Sequence, residues 1–337
     1  MKKFAFALIA MILAGTTCLF AGCKGDENVV RVNEVTHSIF YAPLYAAINK
    51  GFFADEGIKI ELTNGGGAPN SMTAVLTGAA EIGLLGPEAA IYIDQKASNN
   101  PPVVFGQLTN RDGSFIVSKT KIDNFTFANL VGKTIIGGRQ GGVPAMTLQY
   151  AIEQAGLKIG TAENEVNLRT DVEFVQTLST FKNSNANFCT LFEPTATIAC
   201  AENNYHIVGS VGSVAGEVPY TAFMSKKEYL TNNRTTVKKF MKAVMRGYQF
   251  ITTASDNAFA EALAPSFVGV SKESIIASIH RYKAIDAWNH TLTMSENAFN
   301  RLQDIMLNAK SITKRSLFKN VVDNSVAVEV MDELLNN

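Results

Sequence analysis

The chain has 337 residues, 47% of them hydrophobic and 18% charged, with 30 basic and 30 acidic side chains. That length suffices for two domains with their own cores, and the balanced charge leaves no electrostatic footprint for a nucleic-acid partner. Beyond the N-terminus no stretch approaches the roughly 18 uninterrupted apolar residues of a spanning helix.

The N-terminus opens with Lys2 and Lys3, then an apolar run from Phe4 to Leu13, then Leu19-Phe20-Ala21-Gly22-Cys23. Small residues directly before a Cys are what a lipoprotein signal peptidase accepts, so residues 1–22 read as an export signal and are set aside from the fold. The thiol of Cys23 would carry the lipid. An ordinary secretory signal with a chance Cys is the plainer alternative. Removing residues 1–22 takes away two lysines and no acid, leaving a net charge of about −2. Residues 23–28 form a short tether at the bilayer. The remaining cysteines, Cys189 and Cys200, lie in apolar settings. An export compartment permits a disulfide, but these settings favour two buried thiols. The four His residues show no metal-ligand spacing, and neither a metal nor a cofactor is predicted.

Folded structure is predicted to begin with a strand over Val29–Val35, then a helix from about Pro43 to Lys50, a Gly-bounded turn, and an alternating strand from Ile58. One pattern then recurs: a strand, a turn rich in Gly or Pro, and a helix. Ile58–Thr63 runs into Gly65-Gly66-Gly67-Ala68-Pro69, Ala80–Leu85 into Gly86-Pro87-Glu88, Lys133–Ile136 into Gly137 to Gly142, and Ala186–Phe192 into Glu193-Pro194. Proline suits the first helical turn, where its missing N–H has no partner to lose. The repeat predicts an α/β fold with mostly parallel strands. In such sheets ligands bind beyond the carboxyl ends of strands, where helix N-termini present free N–H groups. Four such edges predict a cleft with two walls. From Tyr229 to Asn337 the spacing turns helical and amphipathic, as in Val237-Phe240-Met241-Val244-Met245-Tyr248.

Three segments together resemble the solute-binding proteins of the SsuA/THI5-like (NMT1-type) family. The first runs from Phe40-Tyr41-Ala42-Pro43 through Lys50-Gly51-Phe52-Phe53 to Glu56-Gly57-Ile58. The second is Gly65-Gly66-Gly67 followed by Thr77-Gly78-Ala79-Ala80-Glu81-Ile82-Gly83. The third is Leu130-Val131-Gly132-Lys133-Thr134-Ile135 with Gly137 to Gly142 behind it. The resemblance implies a type II periplasmic-binding-protein fold of two hinged lobes, each with a central sheet. Lobe I would span 29–118 and 222–337, and lobe II 119–221. It implies a monomer, exported and lipid-anchored on the outer face of the cytoplasmic membrane, that hands a small organic solute to the permease and ATPase subunits of an importer. The solute classes implied are thiamine-pyrimidine-like heteroaromatics and the sulfonate, taurine and nitrate group. Two alternatives stay open: a lipoprotein that reports a solute to a membrane sensor, and a THI5-like pyrimidine synthase, whose Cys-rich iron motif is missing here.

Candidate ligand-binding residues follow the strand ends. His37, Ser38, Phe40 and Tyr41 come after the first strand, with Tyr41 either facing the pocket or anchored in its own core. Gly66, Gly67 and Ala68 let main-chain N–H groups approach a ligand, or form a plain turn; the Lys-[Ser/Thr] end of a phosphate loop is absent. Pro87 and Glu88 open a helix, where Glu88 can serve the macrodipole instead of a ligand. Arg139, Gln140, Gly141 and Gly142 form the opposing loop, with Arg139 able to clamp an anion or to pair at the surface. Glu193 would speak against an anionic ligand if it faced one: two like charges about 4 Å apart cost about 4 kcal/mol at an effective dielectric of 20. Tyr220 offers a stacking surface or core packing. No nucleophile–base pair stands out, since Ser38 beside His37 is a sequence neighbour and not a triad.

Overall fold

The computed structural model describes residues 29–96 and 100–335. The predicted signal, the Cys23 lipid site and the tether therefore lie outside the described residues. The strands are β1 (Val29–Glu34), β2 (Lys59–Asn64), β3 (Ile82–Leu85), β4 (Pro102–Thr109), β5 (Phe115–Ser118), β6 (Thr134–Ile136), β7 (Asn167–Arg169), β8 (Phe188–Leu191), β9 (His206–Ser210) and β10 (Thr221–Lys226). They form two sheets of five, in the orders β2-β1-β3-β10-β4 and β7-β6-β8-β5-β9. In each sheet one strand runs against the other four: β10 is antiparallel to β3 and β4, and β5 is antiparallel to β8 and β9. The sheets are therefore mixed. β5 is the first strand formed after the chain crosses to the second sheet, and β10 the first after it returns to the first. Neither was anticipated, because β5 and β10 have no Gly/Pro-rich turn and helix behind them to complete the repeat.

The expected lobe boundary at 118/119 falls at the far end of β5, a strand already in the second sheet. The chain crosses earlier, between Thr109 and Phe115, and returns between Ser210 and Thr221. The principal helices are α1 (Ala42–Asn49), α2 (Ala68–Thr77), α3 (Glu88–Gln95), α4 (Val143–Gln154), α5 (Thr195–Asn203), α6 (Arg234–Thr253), α7 (Lys272–Ala284) and α8 (Glu296–Asn308). The predicted elements lie within a few residues of these. The 51–57 turn holds one helical turn, Phe52–Asp55, entered through Gly51 in the left-handed region at φ 76°.

Each sheet is buried on both faces. In β5, Ile116 joins a cluster with Leu130, Ile135, Leu148 and Ile152, while Val117 joins Ile136, Phe181 and Cys189 on the other side. That is the period-two alternation of a strand. A larger cluster packs the first sheet against α1 and α6. It continues across the hinge through Phe40, Phe115, Phe192, Tyr220 and Tyr282. Val237, Phe240, Met241, Val244 and Met245 of α6 are buried as their spacing predicts, and Tyr248 is half-buried. The C-terminal helices also touch the second lobe: the Arg301 guanidinium donates to the Ala215 carbonyl at 2.8 Å, and Asn308 hydrogen-bonds Glu153. The helices after β10 thus pack against the first sheet and also brace the second lobe. Cys189 is buried and Cys200 half-buried, and both are free thiols.

Helix α6 reaches α1 backbone to backbone at Gly247. A Cβ there would stand 2.0 Å from the Pro43 carbonyl oxygen and 3.1 Å from the Ala47 Cβ. Gly247→Ala should therefore force the helices apart and cost about 2–3 kcal/mol, read as a fall in denaturant midpoint with the slope unchanged.

Candidate functional site

The carboxyl ends of β1, β2, β3, β6 and β8 point to a common space between the lobes. It forms a cleft of about 650 Å³, mouth included. Val35, Thr36, Tyr41, Gly67, Ala68, Gly86 and Glu88 make one wall. Gly138, Arg139, Gly142, Val143, Pro144, Glu173, Phe174 and Phe192 make the other, and Tyr220 and Thr221 close the hinge end. Among the predicted site residues, Tyr41, Gly67, Ala68, Glu88, Arg139, Gly142 and Tyr220 are brought together here.

The cleft receives the N-termini of α2, α3 and α4. Their N-cap residues are Gly67, Pro87 and Gly142, and none has a side-chain cap. The first N–H groups of these helices have no intrahelical partner and carry the positive end of the helix dipole. Gly66 and Gly67 take φ values of 67° and 155°, which L side chains rarely adopt. That turn needs glycine, and it leaves no side chain over the α2 N-terminus.

Three buried side-chain atoms of cleft-lining residues make no close hydrogen bond: Glu88 Oε2, the Tyr220 hydroxyl, whose nearest partner is Asp112, and Thr221 Oγ1, whose nearest partner is Tyr41. Buried polar atoms are nearly always paired, so a ligand or water in the cleft has hydrogen bonds left to complete. Burial pushes the Glu88 carboxyl up to about 7, against the pull of nearby main-chain N–H groups, including that of Val143 across the cleft, and of Arg139. At neutral pH it is partly protonated and can donate. The Tyr220 hydroxyl is raised far above its ordinary value, first by burial and then by the charges of Asp112 and Glu88. Asp112 lies outside the cleft lining, in the first crossover. It accepts from Ser114 N at 2.7 Å, from Ser114 Oγ at 2.6 Å and from Thr147 of α4. Burial raises it to about 6. Arg139 Nε stands 3.8 Å from Glu173, and Nη1 donates to the Gln140 carbonyl at 3.2 Å. Its side chain is 37% exposed, which leaves donors free for a ligand.

The other predicted residues serve elsewhere. Phe40 has no exposure and packs against Tyr41, Phe192, Tyr220 and Tyr282. Its carbonyl accepts from Trp288 Nε1 at 2.8 Å, so it is hinge core and not pocket wall. Pro87 is a buried N-cap outside the lining. Gln140 is exposed and uses its main-chain N–H on the Thr170 carbonyl. The Gly141 carbonyl accepts from Tyr92 of α3 at 2.9 Å, a contact between lobes. Gly66 lies outside the lining, with Val175 of the second lobe where its Cβ would point. His37, Ser38 and Glu193 line an adjoining cavity.

Glu193 requires a correction. Its side chain is fully buried and does not reach the main cleft. Arg281 of α7 donates to Oε1 at 2.6 Å, and the Thr197 main-chain N–H donates to Oε2 at 3.0 Å. The charge is met from within the protein, so it no longer argues against an anionic ligand. Thr221 and Phe174 were missed. Thr221 opens a strand that the sequence does not announce. Phe174 opens a single 3-10 turn, Phe174–Gln176, too short for any periodicity to mark it.

The sequence model of the NMT1/THI5-like family matches residues 39–258. YtlA of Bacillus subtilis (strain 168) is 34% identical over 315 residues, 93% of each chain. Among solved structures, the ligand-binding component of an ABC-type import system from Staphylococcus aureus, with zinc bound, superimposes with a TM-score of 0.71 at 12% identity, covering 90% of this chain and 99% of that one. The alkanesulfonate-binding protein SsuA from Xanthomonas axonopodis pv. citri, bound to MOPS, gives 0.68 at 15% identity, covering 88% and 98%. At these identities the structures share the fold. The chain belongs to the NMT1/THI5-like family.

Two outcomes follow from this geometry. Arg281→Met should cost about 3 kcal/mol by leaving the buried Glu193 charge alone, and adding Glu193→Gln should recover most of that loss in thermal melts. The Glu88 carboxyl titrates higher in the folded protein than its ordinary 4.5, so the stability tied to it is complete below about pH 4.5 and is lost as pH rises through about 7. Glu88→Gln should therefore melt near wild type at pH 5 and above it at pH 8, by on the order of 2 kcal/mol.

Proposed function

We propose that this member of the NMT1/THI5-like family is the solute-binding component of an ABC importer, capturing a small organic anion between its two lobes and delivering it to a permease. One observation carries the reading: three uncapped helix N-termini face one cavity shared by both lobes, and three buried polar atoms without a close hydrogen bond belong to residues that line it. Main-chain N–H groups and Arg139 would hold the negative group, while Glu88, Tyr220 and Thr221 supply further hydrogen bonds. Tyr41, Phe174, Phe192 and Tyr220 give an apolar bed for a ring or short chain. Nitrate alone would leave that bed unused. With Glu193 neutralised by Arg281, the sulfonate side of the expected ligand classes is favoured over a neutral pyrimidine.

In this reading the cleft residues bind the solute by hydrogen bonds and apolar contact and take no part in a reaction. Among the described residues no three His, Cys, Asp or Glu side chains converge as metal ligands. No helix among them is long and apolar enough to cross a membrane. In this reading residues 1–22 are the export signal, Cys23 holds the lipid, and residues 23–28 keep a monomeric receptor near its permease. The lobes close by small backbone rotations in the 110–114 and 211–220 crossovers, and the permease senses closure. A role in presenting solute to a membrane sensor would use the same cleft.

The experiment is a thermal-shift panel of alkanesulfonates, taurine, nitrate, pyrimidines and riboflavin on the chain from residue 24. A ligand at a hundred times its dissociation constant stabilises by about 2.7 kcal/mol. A sulfonate should shift the midpoint, and Arg139→Ala should weaken that sulfonate about tenfold. A panel without any shift overturns the proposal.

A further inference from the structure

Beyond the cleft lies a second cavity of about 640 Å³. Thr36, Phe174 and Phe192 line both spaces. The Phe174 and Phe192 rings, with centroids 5.4 Å apart, are the partition between them.

The charged groups around this second chamber are already answered. His37 Nδ1 pairs with Glu34 at 2.8 Å and its Nε2 meets the Ser266 carbonyl at 2.7 Å. The Glu193 carboxylate is held by Arg281. Ser38 Oγ donates to the Glu193 carbonyl at 2.6 Å and accepts from Phe40 N at 3.1 Å. What remains open is neutral. Thr177 and Thr190 are only 3% and 7% exposed, they line the chamber, and their hydroxyls have no hydrogen-bond partner among the described residues. Leu178 and Leu191 supply apolar surface beside them. Neither hydroxyl oxygen is among the fully enclosed unpaired atoms, so both are open to an occupant of this chamber, which the Phe174 and Phe192 rings separate from the cleft.

We infer that the natural ligand has two parts: an anionic head in the main cleft, and an uncharged hydroxyl- or amide-bearing tail that passes the Phe174–Phe192 partition to meet Thr177 and Thr190. This rests on the reading of the cleft as an anion site and adds the class of group attached to the anion. A charged tail is disfavoured, because the chamber has no free counter-charge and burial of an unpaired ion is costly.

The test is calorimetric titration of the chain from residue 24 with alkanesulfonates of increasing length and with their ω-hydroxy counterparts. At the chain length that reaches the chamber, the hydroxylated compound should bind about fivefold tighter than the plain one. The double variant Thr177→Val, Thr190→Val should erase that difference while short alkanesulfonates bind as in wild type. If short sulfonates bind but a terminal hydroxyl gains nothing at any length, the cleft reading stands and the two-part ligand is overturned. If no sulfonate binds, the anion reading fails and the two-part ligand falls with it.

Discussion

The arrangement of this molecule depends on how one residue of the second lobe is held by the first. Glu193 lies two residues beyond the end of β8, and each of its polar groups is engaged. Its carbonyl accepts from Ile39 N at 3.0 Å and from Ser38 Oγ at 2.6 Å. Its N–H donates to the Tyr282 hydroxyl at 3.0 Å, and its carboxylate meets Arg281. Two of these partners come from the segment after β1 and two from α7. The strand ends that form opposite walls of the cleft are thus tied together at the hinge side. Phe40 fills the space beneath, and Gly113 leaves room for its ring: a Cβ there would stand 2.5 Å from it. A buried ion pair of this kind is weak evidence for net stability but strong evidence for a defined geometry, because losing one partner strands the other.

With the hinge side so fixed, the rest of the interface divides into a dry part and an unsatisfied part. The apolar cluster running through Phe40, Phe115, Phe192 and Tyr282 excludes water from the hinge. The cleft just beyond it leaves helix N-termini uncapped. Of the eight buried side-chain atoms without a close partner among the described residues, three belong to residues that line the space where both lobes meet. The elevated Glu88 carboxyl belongs to the same design: a negative charge there would repel an anion and weaken the field of the helix N-termini, and burial keeps the group partly neutral instead.

Much of this was legible in the residues. The strand–Gly/Pro turn–helix repeat placed Gly67, Ala68, Glu88, Arg139 and Gly142 at one cleft, because helix N-termini at parallel strand ends converge by the geometry of the fold. Tyr41 and Tyr220 reached it as well. The misplaced residues share one feature. Phe40, Ser38 and Glu193 sit at the correct strand ends, but their partners are distant in sequence: Gly113, Tyr282 and Trp288 for Phe40, Arg281 and Tyr282 for Glu193. Thr177 and Thr190 gave no signal at all, since a threonine in a strand or at a helix start is unremarkable until its hydroxyl is seen without a partner.

By itself the sequence determined the local grammar: the alternation that makes strands, the glycines and prolines that end them, the amphipathic C-terminal helices, and the likeness to a family of two-lobed proteins. Those features act over a few residues and survive in any arrangement. Only the tertiary structure decided which charges face the ligand and which are neutralised inside, because that depends on groups some ninety residues apart, such as Glu193 and Arg281, meeting in space. It also decided that one strand in each sheet runs against its neighbours, since direction follows from where the chain crosses between lobes and not from any residue within the strand.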